Sequence, residues 1–316
     1  RVSDGVHHLI VKQSTLESRS KGSFTLDLNR YKLEYDAMKI CAAIVPDLIP
    51  KLYDCDEENR VFITEDVSYL RISRFQLLKG VTYPKLADQI ARYMAATQFY
   101  TSEYYLDTKR FRDLSVHFMN TTMRKIMEVG MFLTSVTPED TVGRPLDPEF
   151  VTFSKRICAD PAVLLARQKL RHLFMSKGEC LIHCDLHTSN IFASQTEAKV
   201  IDMEYAFFGP FAYDMGYFTA NFIAQYAAAA FRPFETEEAR KKFKAYCLFM
   251  IRETYVKYCE YFTQYCKEDS KVEYHNIPGL AEDFCLTTLR EFIGFAASAM
   301  LGRICDLIPY PDYDDI

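Results

Sequence analysis

The sequence predicts an α+β chain in two lobes, a small mixed α/β lobe over residues 1–69 and a larger, mainly helical lobe over 70–316. Three observations carry that expectation. Up to Tyr69, short apolar runs alternate with a single helical pattern. From about residue 211 to 302, helical periodicity dominates. Between these regions, short strands flank the polar segment His183-Cys-Asp-Leu-His-Thr-Ser-Asn190.

His8-Leu-Ile-Val-Lys12 reads as a short buried strand ending in a lysine, and residues 14–24 as a polar loop. From Asp27 to about Ile44, Leu28, Tyr31, Tyr35, Met38 and Cys41 line one helical face, and Pro46 and Pro50 end it. Lys51 to Asp54 and Arg60 to Thr64 read as strands joined by the acidic turn Asp56-Glu-Glu-Asn59. Helices are expected over 84–106, 110–130 and 161–176, with a proline-rich loop over 136–149. Strands follow over Glu179–Ile182, Asn190–Ala193 and Ala198–Asp202. The aromatic stripe Phe249, Tyr255, Tyr258 and Phe262 is expected in the core.

The 316 residues suffice for one large domain or two modest ones with real cores. Apolar residues make up 49% and charged residues 26%, an ordinary globular balance. A net charge of −5 argues against a nucleic-acid surface but not against a nucleotide, whose charge a magnesium ion can offset. The ten cysteines lack CxxC spacing and read as reduced thiols of a cytoplasmic protein. The apolar run Tyr217 to Phe231 is short and interrupted by Asn221 and Gln225, so no membrane span is expected. No signal peptide opens the chain, and its start at Arg1 reads as trimmed.

The chemistry is concentrated in the segment at 183–190 and in Ile201-Asp-Met-Glu204. Asp185, on a loop between strands, can accept a proton from a hydroxyl. Asn190 can offer a carbonyl oxygen to a metal. Asp202 and Glu204, two residues apart in an extended chain, point to one side as paired metal ligands. An Asp or Asn on a turn often only caps it, but this spacing with the strands between favours phosphoryl transfer from ATP with Mg2+. Lys12 alone would snorkel to solvent. Glu34, on the following helix, is placed to pair with it and aim its ammonium at phosphates. The Glu65 carbonyl and Val67 amide, where the small lobe ends, can read an adenine edge. His183 is expected to shape the loop rather than bind metal. Asp214 reads as a helix N-cap or an orienter of the Asp185 loop.

At these residues the chain resembles the protein-kinase-like small-molecule phosphotransferases, and within them the 5-methylthioribose kinases. The likeness runs through Leu9-Ile-Val-Lys-Gln13, Thr64-Glu-Asp66, Leu181-Ile-His183, Lys199-Val-Ile-Asp202 and Glu204-Tyr-Ala-Phe-Phe-Gly-Pro210. It implies a bilobal protein-kinase-like fold and phosphorylation of the 1-hydroxyl of methylthioribose in methionine salvage. It assigns Asp185 as the base, Asp202 and Glu204 to magnesium with Asn190 beside them, Lys12 to the ATP phosphates, and Glu65 and Val67 to adenine. Arg290 matches the first of two adjacent arginines that grip substrate and phosphate.

Departures from the family pattern open other readings. Glu291 stands at the second of those arginines and suits a cationic acceptor such as choline, or another sugar. Cys184 stands where the family carries glycine. The Gly-rich hairpin that precedes Lys12 in the family is missing from the sequence given, so the small lobe is expected to be incomplete. A degenerate, non-catalytic nucleotide binder is the alternative this implies. The partner expected throughout is a small molecule, with no nucleic acid and no membrane, and a homodimer is compatible with the sequence.

Overall fold

The computed structural model describes residues 1–14, 26–133 and 148–304. The loops expected over 14–24 and 136–149 therefore fall almost wholly outside the described residues. Pro148 and Glu149, read as loop, instead open a helix.

The small lobe is an antiparallel sheet of order β1-β2-β4-β3, with β1 Val2–Ser3, β2 His8–Gln13, β3 Leu52–Asp56 and β4 Val61–Glu65. Helix α1, Arg30–Ile44, packs on it through Tyr31, Ala37, Met38 and Cys41. The β2–β4 register sets Lys12 opposite Phe62 and Leu9 opposite Glu65. The expectation of a buried strand at 8–12 is not met. Among the described residues only the two-residue β1 lies beyond β2, and Val11 stays 40% exposed and Lys12 half-buried.

The chain leaves β4 through residues 66–70 and forms β5, Arg71–Ile72, which pairs with β7, Ile191–Ala193. Helix α2, Ser73–Leu77, follows at once. The larger lobe adds α3 Leu86–Thr101, α4 Thr108–His117 and α5 Thr121–Glu128, which runs into a π turn, Val129–Leu133. The helix expected over 110–130 is thus two, broken at Asn120, whose backbone is left-handed at φ 41. Helices α6 Pro148–Ala159 and α7 Pro161–Ser176 follow. Strand β6, Cys180–Ile182, pairs with β9, Phe207–Gly209, and β7 pairs with β8, Ala198–Val200. The loop at 183–190 is thereby held between two small antiparallel ladders.

Helices α8 Ala212–Ala228, α9 Glu237–Asp269 and α10 Leu280–Ile304 complete the fold. Tyr258 and Phe262 are fully buried, and Phe262 stacks on Phe284 at 3.5 Å between ring centroids. Phe249 departs from that stripe and is 44% exposed. It lies nine residues before Tyr258, half a turn off the buried face. Leu280–Gly302 is long and apolar enough, by length and composition, to cross a membrane, which the sequence analysis overlooked. In the fold it packs as a core helix through Phe292, Phe295, Ala296 and Ala299.

The α8–α10 crossing depends on Gly216. A Cβ there would meet Phe295 Cβ at 2.6 Å and the Phe292 carbonyl at 2.8 Å. Gly216→Ala should force the helices apart and cost about 1–3 kcal/mol. Urea denaturation monitored by circular dichroism checks this; unchanged stability would contradict the crossing.

Candidate active site

Lys12 leaves β2 toward α1. Its ammonium donates to Glu34 Oε1 at 2.7 Å and to Asp202 Oδ1, joining the small lobe to the chain that follows β8. Glu34 is buried at 2% exposure. Burial raises its pKa to about 7 against the opposing pull of Lys12. Burial alone would lower the Lys12 ammonium, but Glu34, Asp202 and Glu204 outweigh it and hold the charge firmly. Asp202 is lowered, because Lys12 outweighs the effect of burial.

Glu204 joins the same cluster. One ligand oxygen from each of Glu34, Asp202 and Glu204 lies within 4.8 Å of the others. Burial and the adjacent Asp202 raise the Glu204 carboxyl, against Lys12 and Arg30. Arg30 Nε donates to Glu204 Oε2 at 2.9 Å. Asn120 Nδ2 holds the backbone beside it, donating to the carbonyls of Glu204 at 2.9 Å and Ala206 at 3.0 Å. The convergence of Asp202 and Glu204 does not arise from an extended strand. Strand β8 stops at Val200, and Asp202 adopts a left-handed φ of 68. The chain turns the two side chains together.

Asp185 sits on the other side of the His183 ring. The ring's Nε2 donates to the Ile201 carbonyl at 2.9 Å and its Nδ1 accepts the Asp185 amide at 3.2 Å. Burial lowers its pKa, although both Asp185 and Asp202 pull it up. It is a neutral spacer that holds the two segments in register, as the sequence suggested. Asn190 Nδ2 donates to the Asp185 carbonyl at 3.0 Å and to its Oδ2 at 3.3 Å, while the Asn190 carbonyl accepts the Ile201 amide at 3.0 Å. The donor half of that amide is thus committed to Asp185, leaving its oxygen as the group that can face a metal. His187 Nε2 lies 3.4 Å from Asp185 Oδ2.

Asp214 is not an N-cap; it lies inside α8, buried at 2% exposure. Its oxygens accept the amides of His183 at 2.7 Å and Cys184 at 2.9 Å, fixing the start of the loop. At Cys184 the backbone is left-handed with φ 67, a conformation that glycine adopts without strain.

Glu65 ends β4; its Oε2 accepts the Lys51 amide at 3.0 Å, and its carbonyl accepts a long 3.3 Å bond from Thr64 Oγ1. Among the described residues no protein acceptor takes the Val67 amide, although Val67 itself is buried. Arg290 is exposed on α10, and no hydrogen bond or ion pair among the described residues joins it to a carboxylate. Glu291 pairs with Lys177 at 2.6 Å, before the start of β6 and thus at the end of that strand away from Asp185. Lys177 also lies 3.5 Å from Glu179, so Glu291 is paired with a lysine that two carboxylates share. Arg30 escaped the sequence reading, yet it lies one helical turn before Glu34 and so shares its face.

The donor set fits a hard divalent cation. Carboxylate oxygens of Asp202 and Glu204 with the amide oxygen of Asn190 are the ligands Mg2+ takes beside phosphate oxygens.

Residues 140–260 match the phosphotransferase enzyme family. A methylthioribose kinase of Geobacillus thermodenitrificans (strain NG80-2) is 33% identical over 309 residues, covering 98% of this chain and 75% of the relative. One from Bacillus cereus (strain ATCC 10987 / NRS 248) is 31% identical over 317 residues, covering 100% and 78%. A solved glucosamine kinase, crystal form B, matches 93% of this chain and 72% of its own at a TM-score of 0.50 and 13% identity, a likeness of fold. The fold and these relatives together define a protein-kinase-like phosphotransferase acting on a hydroxyl group. Within that class, the chain belongs to the methylthioribose kinase family.

Burial raises the Asp214 pKa to about 7, even though two backbone amides oppose the shift. The folded chain therefore holds this proton where the unfolded chain, with its ordinary value of 3.8, has released it. The stability Asp214 contributes is greatest below about pH 4 and falls as pH rises toward 7. The stability margin of the parent over Asp214→Asn should shrink between pH 4.5 and 7.5, by at most about 1.4 kcal/mol per pH unit. Denaturant titrations of both proteins across that range check the sign; a margin that grows with pH contradicts it.

Proposed function

We propose that this chain transfers the γ-phosphoryl group of ATP to the 1-hydroxyl of 5-methylthioribose, a step of methionine salvage. The observation that carries this reading is the joining of Lys12, Glu34, Asp202 and Glu204 into one cluster beside Asp185, in a chain of the methylthioribose kinase family. Asp185 is the base. It accepts the proton of the sugar hydroxyl as that oxygen bonds to the γ-phosphorus, and the bridging P–O bond breaks with its electron pair leaving on ADP. Lys12, aimed by Glu34, donates to the α- and β-phosphates. Asn190 and the neutral His183 keep the Asp185 carboxylate oriented.

Asp202 and Glu204, with Asn190 beside them, would hold Mg2+, and Arg30 and Asn120 fix Glu204 for that role. A magnesium ion there offsets phosphate charge and organises the triphosphate. The Glu65 carbonyl and Val67 amide take the adenine edge. Arg290 would reach substrate only from its exposed position on α10. The nine cysteines among the described residues are all free, which supports a reducing, cytoplasmic setting. The ion pair of Glu291 with Lys177 weighs against a cationic acceptor.

ADP release with methylthioribose, choline and an aminoglycoside as alternative acceptors tests the reading. Turnover should be fastest with methylthioribose; faster turnover with either other acceptor overturns the substrate assignment. Asp185→Asn should lower kcat by about 10²–10⁴-fold. The melting-temperature rise given by magnesium-ADP should survive in that variant. Turnover at the parent rate would remove Asp185 from its role.

A further inference from the structure

Asp214 explains how the catalytic loop begins, but the loop is equally fixed at its other end. Thr188, between Asp185 and Asn190, is fully buried. Its carbonyl accepts Ser73 Oγ at 2.7 Å and the Arg74 amide at 3.0 Å. Its Oγ1 accepts Arg74 Nε at 3.3 Å and donates to Asn221 Oδ1 at 3.1 Å. Arg74 Nη2 donates to that same Asn221 oxygen at 2.9 Å, and Asn221 Nδ2 is spent on the Tyr217 carbonyl at 2.8 Å. Ser73, Arg74, Thr188 and Asn221 are all buried, none more than 4% exposed.

A guanidinium is costly to take out of water, so one kept this deep has a geometric task. Nε and Nη2 lie on one edge of a rigid fork and meet two acceptors at once, which a lysine ammonium cannot reproduce. The place of Arg74 in the chain gives the task its direction. It lies seven residues after Val67, and β5 between them pairs with β7, the strand that follows Asn190. The segment leaving the nucleotide-side connector therefore ends on the catalytic loop.

We propose that Arg74 is a positioning residue that locks the Thr188 end of the Asp185 loop to the interlobe connector, so that the adenine contacts and the base share one register. It touches neither substrate nor nucleotide. This rests on the reading of Asp185 as the base. Loss of the fork frees the loop by a fraction of an ångström to an ångström, a displacement that can cost on the order of 10² in rate.

The test uses the full chain with Arg74→Gln, Arg74→Lys and Thr188→Val, each assayed with ATP and methylthioribose well below its own melting temperature. Thr188→Val is nearly isosteric and keeps the measurement available where the arginine variants do not fold. The expected result is a fall in kcat of tenfold or more, no rescue by lysine, and a KM for ATP within about threefold of the parent. A smaller fall in kcat overturns the proposal, because a merely structural side chain lowers the melting temperature and leaves kcat alone. Amide hydrogen exchange over residues 185–190 provides a readout independent of turnover. It should accelerate tenfold or more in the same variants, and unchanged exchange overturns the positioning role. A parent inactive on every acceptor, with exchange responding as stated, would sink the proposed function and leave the clamp standing.

Discussion

The site is governed by like charge at close range. Three carboxylates, Glu34, Asp202 and Glu204, place ligand oxygens within 4.8 Å of one another, and among the described residues Lys12 and Arg30 are the two cations paired with them. At that separation each carboxylate pair repels by roughly 3–4 kcal/mol at an effective dielectric near 20, less where solvent reaches Asp202. Burial chiefly, and that repulsion in addition, raise the Glu34 and Glu204 pKa values. With all three carboxylates ionised the cluster is one positive charge short, a deficit that a divalent cation arriving with a polyphosphate would fill. The same arrangement would be a pure cost in a protein that bound neither.

Everything around the cluster serves to hold it against that repulsion. Lys12 comes from a strand, Glu34 and Arg30 from one helix face, and Asp202 and Glu204 from a left-handed turn after β8. Asp185 comes from a loop pinned by a buried carboxylate at one end and a buried guanidinium at the other. Lys12 joins the buried Glu34 to Asp202, so the small lobe is tied to the segment after β8, although solvent reaching Lys12 and Asp202 screens that link.

Much of this was legible in the sequence, for unequal reasons. Glu34 followed from helical spacing after an apolar strand, and His183 and Asp185 from a polar segment between strands. Asp202 and Glu204 were found by a period-two argument that the backbone does not obey, since Asp202 is left-handed. Strands β5 and β9 are two and three residues long, too short for any periodicity to register. Helix α6 hid behind Pro148, which reads as a loop residue but is tolerated in a first helical turn. Arg74, Asn120 and Asn221 act through contacts between residues far apart in sequence, and no local pattern marks them. The family likeness named Arg290 and the charge reversal at Glu291, but burial and pairing are tertiary facts. No spacing could announce that Glu291 pairs with Lys177.

The most direct measurement is Mn2+ binding followed by electron paramagnetic resonance, with and without ADP, on the parent and on Asp202→Asn. The account predicts that ADP tightens Mn2+ binding by the parent at least tenfold and that Asp202→Asn abolishes this synergy. Equal synergy in the two proteins would show that the carboxylate cluster is not where metal and nucleotide meet.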